Sequence, residues 1–329
     1  MFVKPLILAA LSFAAMSLAA SSFAAPPSSA APPKPCYSPG MPAPPITRQT
    51  VVMIDLTTAR DAAVIADFRR AVALAASDLG QRVSVVSFAG IGNGEHLAER
   101  PPLVIEAPIT DDKARQELSI RSLRQSQKCV ADEGQAAPGR VLAMVDAELA
   151  RLDPNGHRQS EIVQALHETL GRMATPKMST RLLAYSDGLE FGRHGLNFYG
   201  ADKRPRTVKP TAEWAKLPSP FADPPVADMG PVRVLWWGLL AEEYTLGRRP
   251  DNHYSAATLT ALRGFWTGLL LDHWGVKDVQ LGQTVMNADL NFAPNTVAAQ
   301  TQRRVHMAGI AGVAATVGTP GLVARSGQK

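Results

Sequence analysis

Apolar residues along this chain follow two rhythms. Short uninterrupted runs at 50–55, 82–88, 181–186 and 232–239 have the length and β-branched content of strands covered on both faces. Between them, apolar residues recur every three or four positions, as on one face of a helix. Val64, Ile65, Phe68, Val72, Ala75 and Ala76 predict a helix over 62–79, closed by Gly80. Ile162, Val163, Leu166 and Leu170 predict another over 160–173, with Ser160 as its N-cap. Leu259, Leu262, Phe265, Trp266, Leu269, Leu270 and His273 predict a third over 255–274. The charged stretch 111–130 reads as partly helical and 140–152 as a separate amphipathic helix. Residues 103–109, set among Pro101, Pro102 and Pro108, fit an edge strand, and 278–281 a short last strand.

Strands alternating with helices predict an α/β fold: a doubly wound, mostly parallel, Rossmann-like sheet with helices on both faces. Such sheets bind ligands beyond the carboxyl ends of their strands. Asp55 and Asp187 both fall at such ends.

The N-terminus adds a compartment. Lys4 gives a short basic start, residues 5–20 are apolar, and Ser22 and Ala24 are small residues before a cleavage point. Residues 1–24 therefore read as a signal peptide and the protein as periplasmic or secreted. Residues 25–48, dense in Pro, Ala and Ser, predict an extended linker. The domain itself is expected over 49–285, with a Pro- and Gly-rich insertion or long loop at 191–230. Residues 286–329 read as a weakly ordered tail, whose apolar part at 307–324 carries several glycines and a proline and predicts no stable membrane span. Cys36 and Cys129 are the only cysteines; an oxidising compartment allows one bridge between them, or they remain free thiols.

The formal net charge of +5 is spread along the chain and points to no nucleic-acid partner. The short basic cluster of Lys203, Arg204, Arg206 and Lys209 lies among prolines and reads as a solvated loop.

Chemistry-bearing residues gather at three loop positions. Asp55, Thr57 and Thr58 follow the first strand, Ser160 opens a helix, and Ser186, Asp187 and Gly188 follow a later strand. Carboxylates and hydroxyls converging there form a hard oxygen set suited to Mg²⁺ or Mn²⁺. On these residues the chain resembles the von Willebrand factor A domain family over roughly 49–283. That family's metal-ion-dependent adhesion site uses an Asp-x-Ser-x-Ser motif, then a Thr, then an Asp. The resemblance implies metal-site roles for Asp55, Thr57, Ser160 and Asp187, while Ala59 stands where the second Ser would supply a ligand. It also implies a protein-binding module with a protein partner in a bacterial envelope, rather than an enzyme. The segment from Leu262 to Trp266 resembles the end of exported bacterial members.

A rival reading uses the same loop. Ala184 to Gly188 approximates a nucleophile elbow, with Ser186 as nucleophile of a secreted serine hydrolase. Asp251 or Asp272, with His253, His273 or His306, would complete its triad. Trp236 and Trp237 sit within a strand pattern and read as core.

Overall fold

The computed structural model describes residues 35–90, 97–153, 160–175, 177–192, 195–201, 205–240, 256–285 and 287–292. Residues 1–24, expected to be a signal peptide, the apolar stretch 307–324, Lys203, Arg204, Asp251, His253 and His306 lie outside the described residues. The compact unit begins at Cys36.

In chain order the elements are β1 (Arg48–Asp55), α1 (Ala62–Ala76), β2 (Gln81–Phe88), β3 (Leu97–Glu99), β4 (Leu103–Ile105), α2 (Asp112–Gln116), α3 (Ile120–Leu149), α4 (Ile162–Met173), β5 (Ser179–Tyr185), α5 (Pro210–Trp214), β6 (Val232–Trp237), α6 (Ala256–Thr267) and β7 (Asp278–Leu281). They form an α/β fold around one mostly parallel sheet. The strands run β3-β2-β1-β5-β6-β7, with β4 also on β2. The β1–β2, β1–β5, β5–β6 and β6–β7 pairs are parallel. The edge pieces β3 and β4 are antiparallel to β2.

The two faces of the sheet divide the core by simple alternation. Val51, Met53, Leu182, Ala184, Val234 and Trp236 pack against α4 and α6. Val52, Ile54, Leu183, Tyr185, Leu235 and Trp237 pack against α1 and α3. The stretch read as an insertion sends Leu196, Phe198, Val208, Leu217, Phe221 and Met229 into the first of these layers. Arg206 of the basic cluster is tied to the buried Glu213, at 2.8 Å. Among the described residues no helix is long and apolar enough to cross a membrane.

Three local readings are corrected. The two helices expected around residue 138 are one helix of 30 residues, with Pro138 inside it. Proline in a helix interior costs about 3 kcal/mol. Here a buried stripe, Val130, Ala137, Val141, Val145 and Leu149, runs straight through it, and that burial outweighs the loss. Gly134 lets Leu79 press against the same helix: a Cβ there would meet Leu79 Cδ2 at 2.6 Å. The helix expected over 255–274 changes winding after Thr267, where Gly268–His273 form a π-helical turn. Ser160 does not cap α4; the N-cap position belongs to Glu161, whose side chain makes no capping bond.

Cys36 and Cys129 form a disulfide with Cα atoms 5.5 Å apart. It fastens the Pro-rich arm to α3, and Tyr37 beside it is buried against Ile109 and Val130. The Tyr37 hydroxyl donates to the Ala107 carbonyl. One charged residue in an apolar strand, Arg181, is fully buried. Its guanidinium donates to Thr50 Oγ1 (3.0 Å), the Ala75 carbonyl (2.9 Å) and Asp78 (3.2 Å), and lies 4.2 Å from the Phe292 ring centre.

Candidate functional site

From β1 the chain steps to β2 on one side of the sheet, and later strands fill the other side from β5 onward. The point where the winding reverses therefore lies between the carboxyl ends of β1 and β5. Register places Ile54 opposite Tyr185, so Asp55 and Ser186 are the next residues out on neighbouring strands.

Asp55 is the centre of the site. Its Oδ1 accepts from the Thr57 hydroxyl (2.6 Å) and the Thr57 backbone N–H (3.0 Å). Its Oδ2 accepts from the hydroxyls of Ser160 (2.9 Å) and Ser186 (2.7 Å). The residue has no exposed surface. Burial pushes its pKa up, while the bonds from Thr57, Ser186 and Ser160 pull the other way.

Asp187 follows Ser186 and is 2 % exposed. Its backbone N–H donates to Thr58 Oγ1 (3.0 Å), and its Oδ1 accepts from the Leu189 N–H (2.8 Å). The three loop stretches thus meet: Asp55, Thr57 and Ser160 bond directly, and Asp187 is seated beside them by Thr58. Ala59 is fully buried and brings no side-chain oxygen; its carbonyl accepts from the Tyr185 hydroxyl at 2.7 Å. Burial, followed by the nearby carboxylates, pushes the Tyr185 phenol up.

The loop after β5 is held from beneath. Trp236 Nε1 donates to the Ser186 carbonyl (2.8 Å) and Trp266 Nε1 to the Gly188 carbonyl (3.0 Å). Gly188 takes φ of +75°, and a Cβ there would lie 2.9 Å from Leu239 Cδ1 and 3.0 Å from Trp266 Nε1. Only glycine suits both the backbone and the space.

The missing cap of α4 comes from this loop. Glu190 Oε2 accepts from the Val163 N–H at 3.0 Å, inside the helix's first turn. Its Oε1 has no hydrogen-bond partner among the described residues. Burial, then the charges of Glu161 and Asp55, outweigh the Val163 and Ile162 amides and push the Glu190 carboxyl up to about 8.

Ser186, the residue of the hydrolase reading, is 1 % exposed and gives its hydroxyl to Asp55 rather than to an imidazole. The Gly188 N–H donates to the same Oγ at 3.1 Å. His273 sits on the π-helical turn with its ring 4.9 Å from that of Trp214.

The donor set fits a hard divalent cation in kind. Asp55, Thr57, Ser160 and Asp187 offer oxygens only, and the bonded partners of the buried Asp55 carboxyl are all neutral. Ala59 adds no side-chain oxygen to the set.

Sequence reasoning left Thr58 without a role and missed the tie from Ser186 to Asp55, the capping by Glu190 and the support from the two indoles. Trp266 lay in the Leu262–Trp266 segment already singled out, and Glu190 only three residues past Asp187.

No family model matches this chain, and no curated protein does. Among solved structures, the human COPII-coat protein Sec24c aligns with 73 % of this chain and 30 % of its own, at 10 % identity and a TM-score of 0.26. The α/β architecture rests on this chain's own strand order and register.

Proposed function

We propose that the protein is an exported binding module of the von Willebrand factor A type, which contacts a protein partner in a bacterial cell envelope. The contact face is the rim carrying Asp55, Thr57, Ser160 and Asp187. One observation carries the reading: side chains from three distant stretches converge on the Asp55 carboxyl at the reversal point of the sheet, where open α/β sheets bind ligands. Phe191 supports it from the edge. Its N–H donates to the Ser160 carbonyl at 2.9 Å, and its ring, 37 % exposed, lies edge-on to Tyr199.

Asp55, Thr57, Ser160 and Asp187 would hold Mg²⁺ or Mn²⁺ and so give the rim a positive contact for a partner's carboxylate. Ala59 makes that hold weak. Calorimetric titration of Mn²⁺ into the wild type, Asp187→Ala and Ala59→Ser tests the metal part. Ala59→Ser restores the absent hydroxyl and is expected to bind most tightly, with Asp187→Ala weakest. Equal heats in all three remove the metal from the proposal. For the partner, a photo-cross-linker at position 191 is expected to give a discrete protein adduct in envelope preparations, lost in Asp187→Ala. An adduct indifferent to that change, or none, removes the rim as the contact face.

A further inference from the structure

We propose that the Cys36–Cys129 staple doubles as a zinc-class metal site once its disulfide is opened, with Glu106 and Glu133 completing the ligand set. The site is separate from the Asp55 rim and does not depend on the function proposed for it.

The geometry comes from three elements. Cys129 and Glu133 are four residues apart on α3, so they share one face of that helix. Glu106 follows directly on β4, and its Oε2 accepts from the Cys36 backbone N–H at 2.7 Å. The Pro-rich arm is thereby held to the segment after β4 by a bond that does not involve sulfur. One oxygen each of Glu106 and Glu133 and the Cys36 Sγ all lie within 4.8 Å of one another. Glu133 is 9 % exposed; its Oε1 takes Arg140 at 3.2 Å, while its Oε2 faces the Cys36 Sγ at 3.8 Å. Cys129 Sγ is bonded to Cys36 Sγ, so the fourth ligand atom lies one bond away from the first.

Two carboxylates held this close, with one guanidinium beside them, make a patch that favours a cation. Thiolate sulfur and carboxylate oxygen are both zinc ligands. Opening the bridge requires a dithiol reductant. It delivers two electrons and two protons, the S–S bond breaks to give two thiols, and the reductant is left as its own disulfide. Binding of Zn²⁺ then displaces the two thiol protons to solvent. The arm would stay fastened to α3 in either redox state, by a covalent bond in one and by a shared metal in the other.

Co²⁺ serves as the optical stand-in for Zn²⁺. The full chain, reduced with dithiothreitol and desalted without air, is titrated with Co²⁺ alone, and the thiolate-to-cobalt charge-transfer band is followed. The expected result is a band saturating at about one equivalent, displaced by Zn²⁺ and absent from the oxidised chain. Glu106→Gln and Glu133→Gln, which keep both cysteines, are expected to weaken binding by about tenfold or more. Asp187→Ala is expected to leave the band unchanged, which separates this site from the rim. No band in the reduced wild type overturns the proposal, as does equal affinity in the double Gln variant, since two thiols alone would then suffice. Should reduction unfold the chain, Co²⁺ must restore the far-UV dichroism of the wild type and not of the double variant. Failure to do so also overturns it.

Discussion

Ser186 Oγ lies 2.7 Å from Asp55 Oδ2, a bond that joins two strand ends 131 positions apart in the chain. With Thr57 and Ser160 on the same carboxyl, Asp55 gathers four donors from three loops. Asp55→Ala would leave those donors without their acceptor in a buried place. The expected loss of folding stability is about 1–3 kcal/mol, read as a lower urea midpoint at unchanged slope. A midpoint equal to the wild type would show that the loops hold together without this carboxyl.

Glu190 makes stability fall as pH rises. Its folded pKa is about 8, against 4.5 for an unperturbed glutamate, so the folded chain binds the extra proton between those values. The stabilisation is complete below about pH 4.5 and is lost as pH climbs through the folded value, at up to roughly 1.4 kcal/mol per pH unit. Glu190→Gln keeps an oxygen for the Val163 N–H and carries no proton to lose. Urea curves at pH 5, 7 and 8.5 are expected to show the variant gaining on the wild type as pH rises. Parallel pH profiles would refute this account.

Gly188→Ala tests the support under the loop. Its φ of +75° and the approach of Leu239 and Trp266 penalise any side chain there. Destabilisation of about 1–3 kcal/mol is expected. The variant should also lose any Mn²⁺ or partner affinity of the rim, because the Gly188 carbonyl must leave Trp266. A fully stable variant would mean that the backbone readily takes another path.

Cys129→Ser removes a crosslink between residues 93 positions apart. A loss of about 2–5 kcal/mol is expected, measured under non-reducing conditions against the oxidised wild type. Since the arm packs through only a small cluster around Tyr37 and Met41 besides its hydrogen bonds, limited proteolysis should then cut near Cys36 first. Equal stability of variant and wild type would show that the arm contributes nothing to the fold.

The sheet was legible because its central strands are buried on both faces, and continuous apolar runs such as Val51–Ile54 and Leu182–Tyr185 announce that. Pro138 hid the continuity of α3, since local propensity argues for a break and only the stripe from Val130 to Leu149 argues against it. β3 was invisible: its three residues are half-exposed to exposed and owe their conformation to β2. Asp55 and Asp187 could be placed from strand ends alone. The roles of Ser160, Thr58 and Glu190 could not, because each is defined by a partner 27 to 129 residues away. Ser160 shows the difficulty: a serine ahead of a helix reads as its cap, yet its hydroxyl serves another loop.

The indoles under the rim also equip this protein for optical study without a label. Trp236 and Trp266 are hydrogen-bonded to the loop that carries Asp187, and their rings are stacked at a slant, 4.8 Å between centres. Any event that shifts the Ser186 or Gly188 carbonyl must alter the surroundings of a buried chromophore. Occupancy at the surface should therefore announce itself as a change in the colour or yield of native emission from within the core.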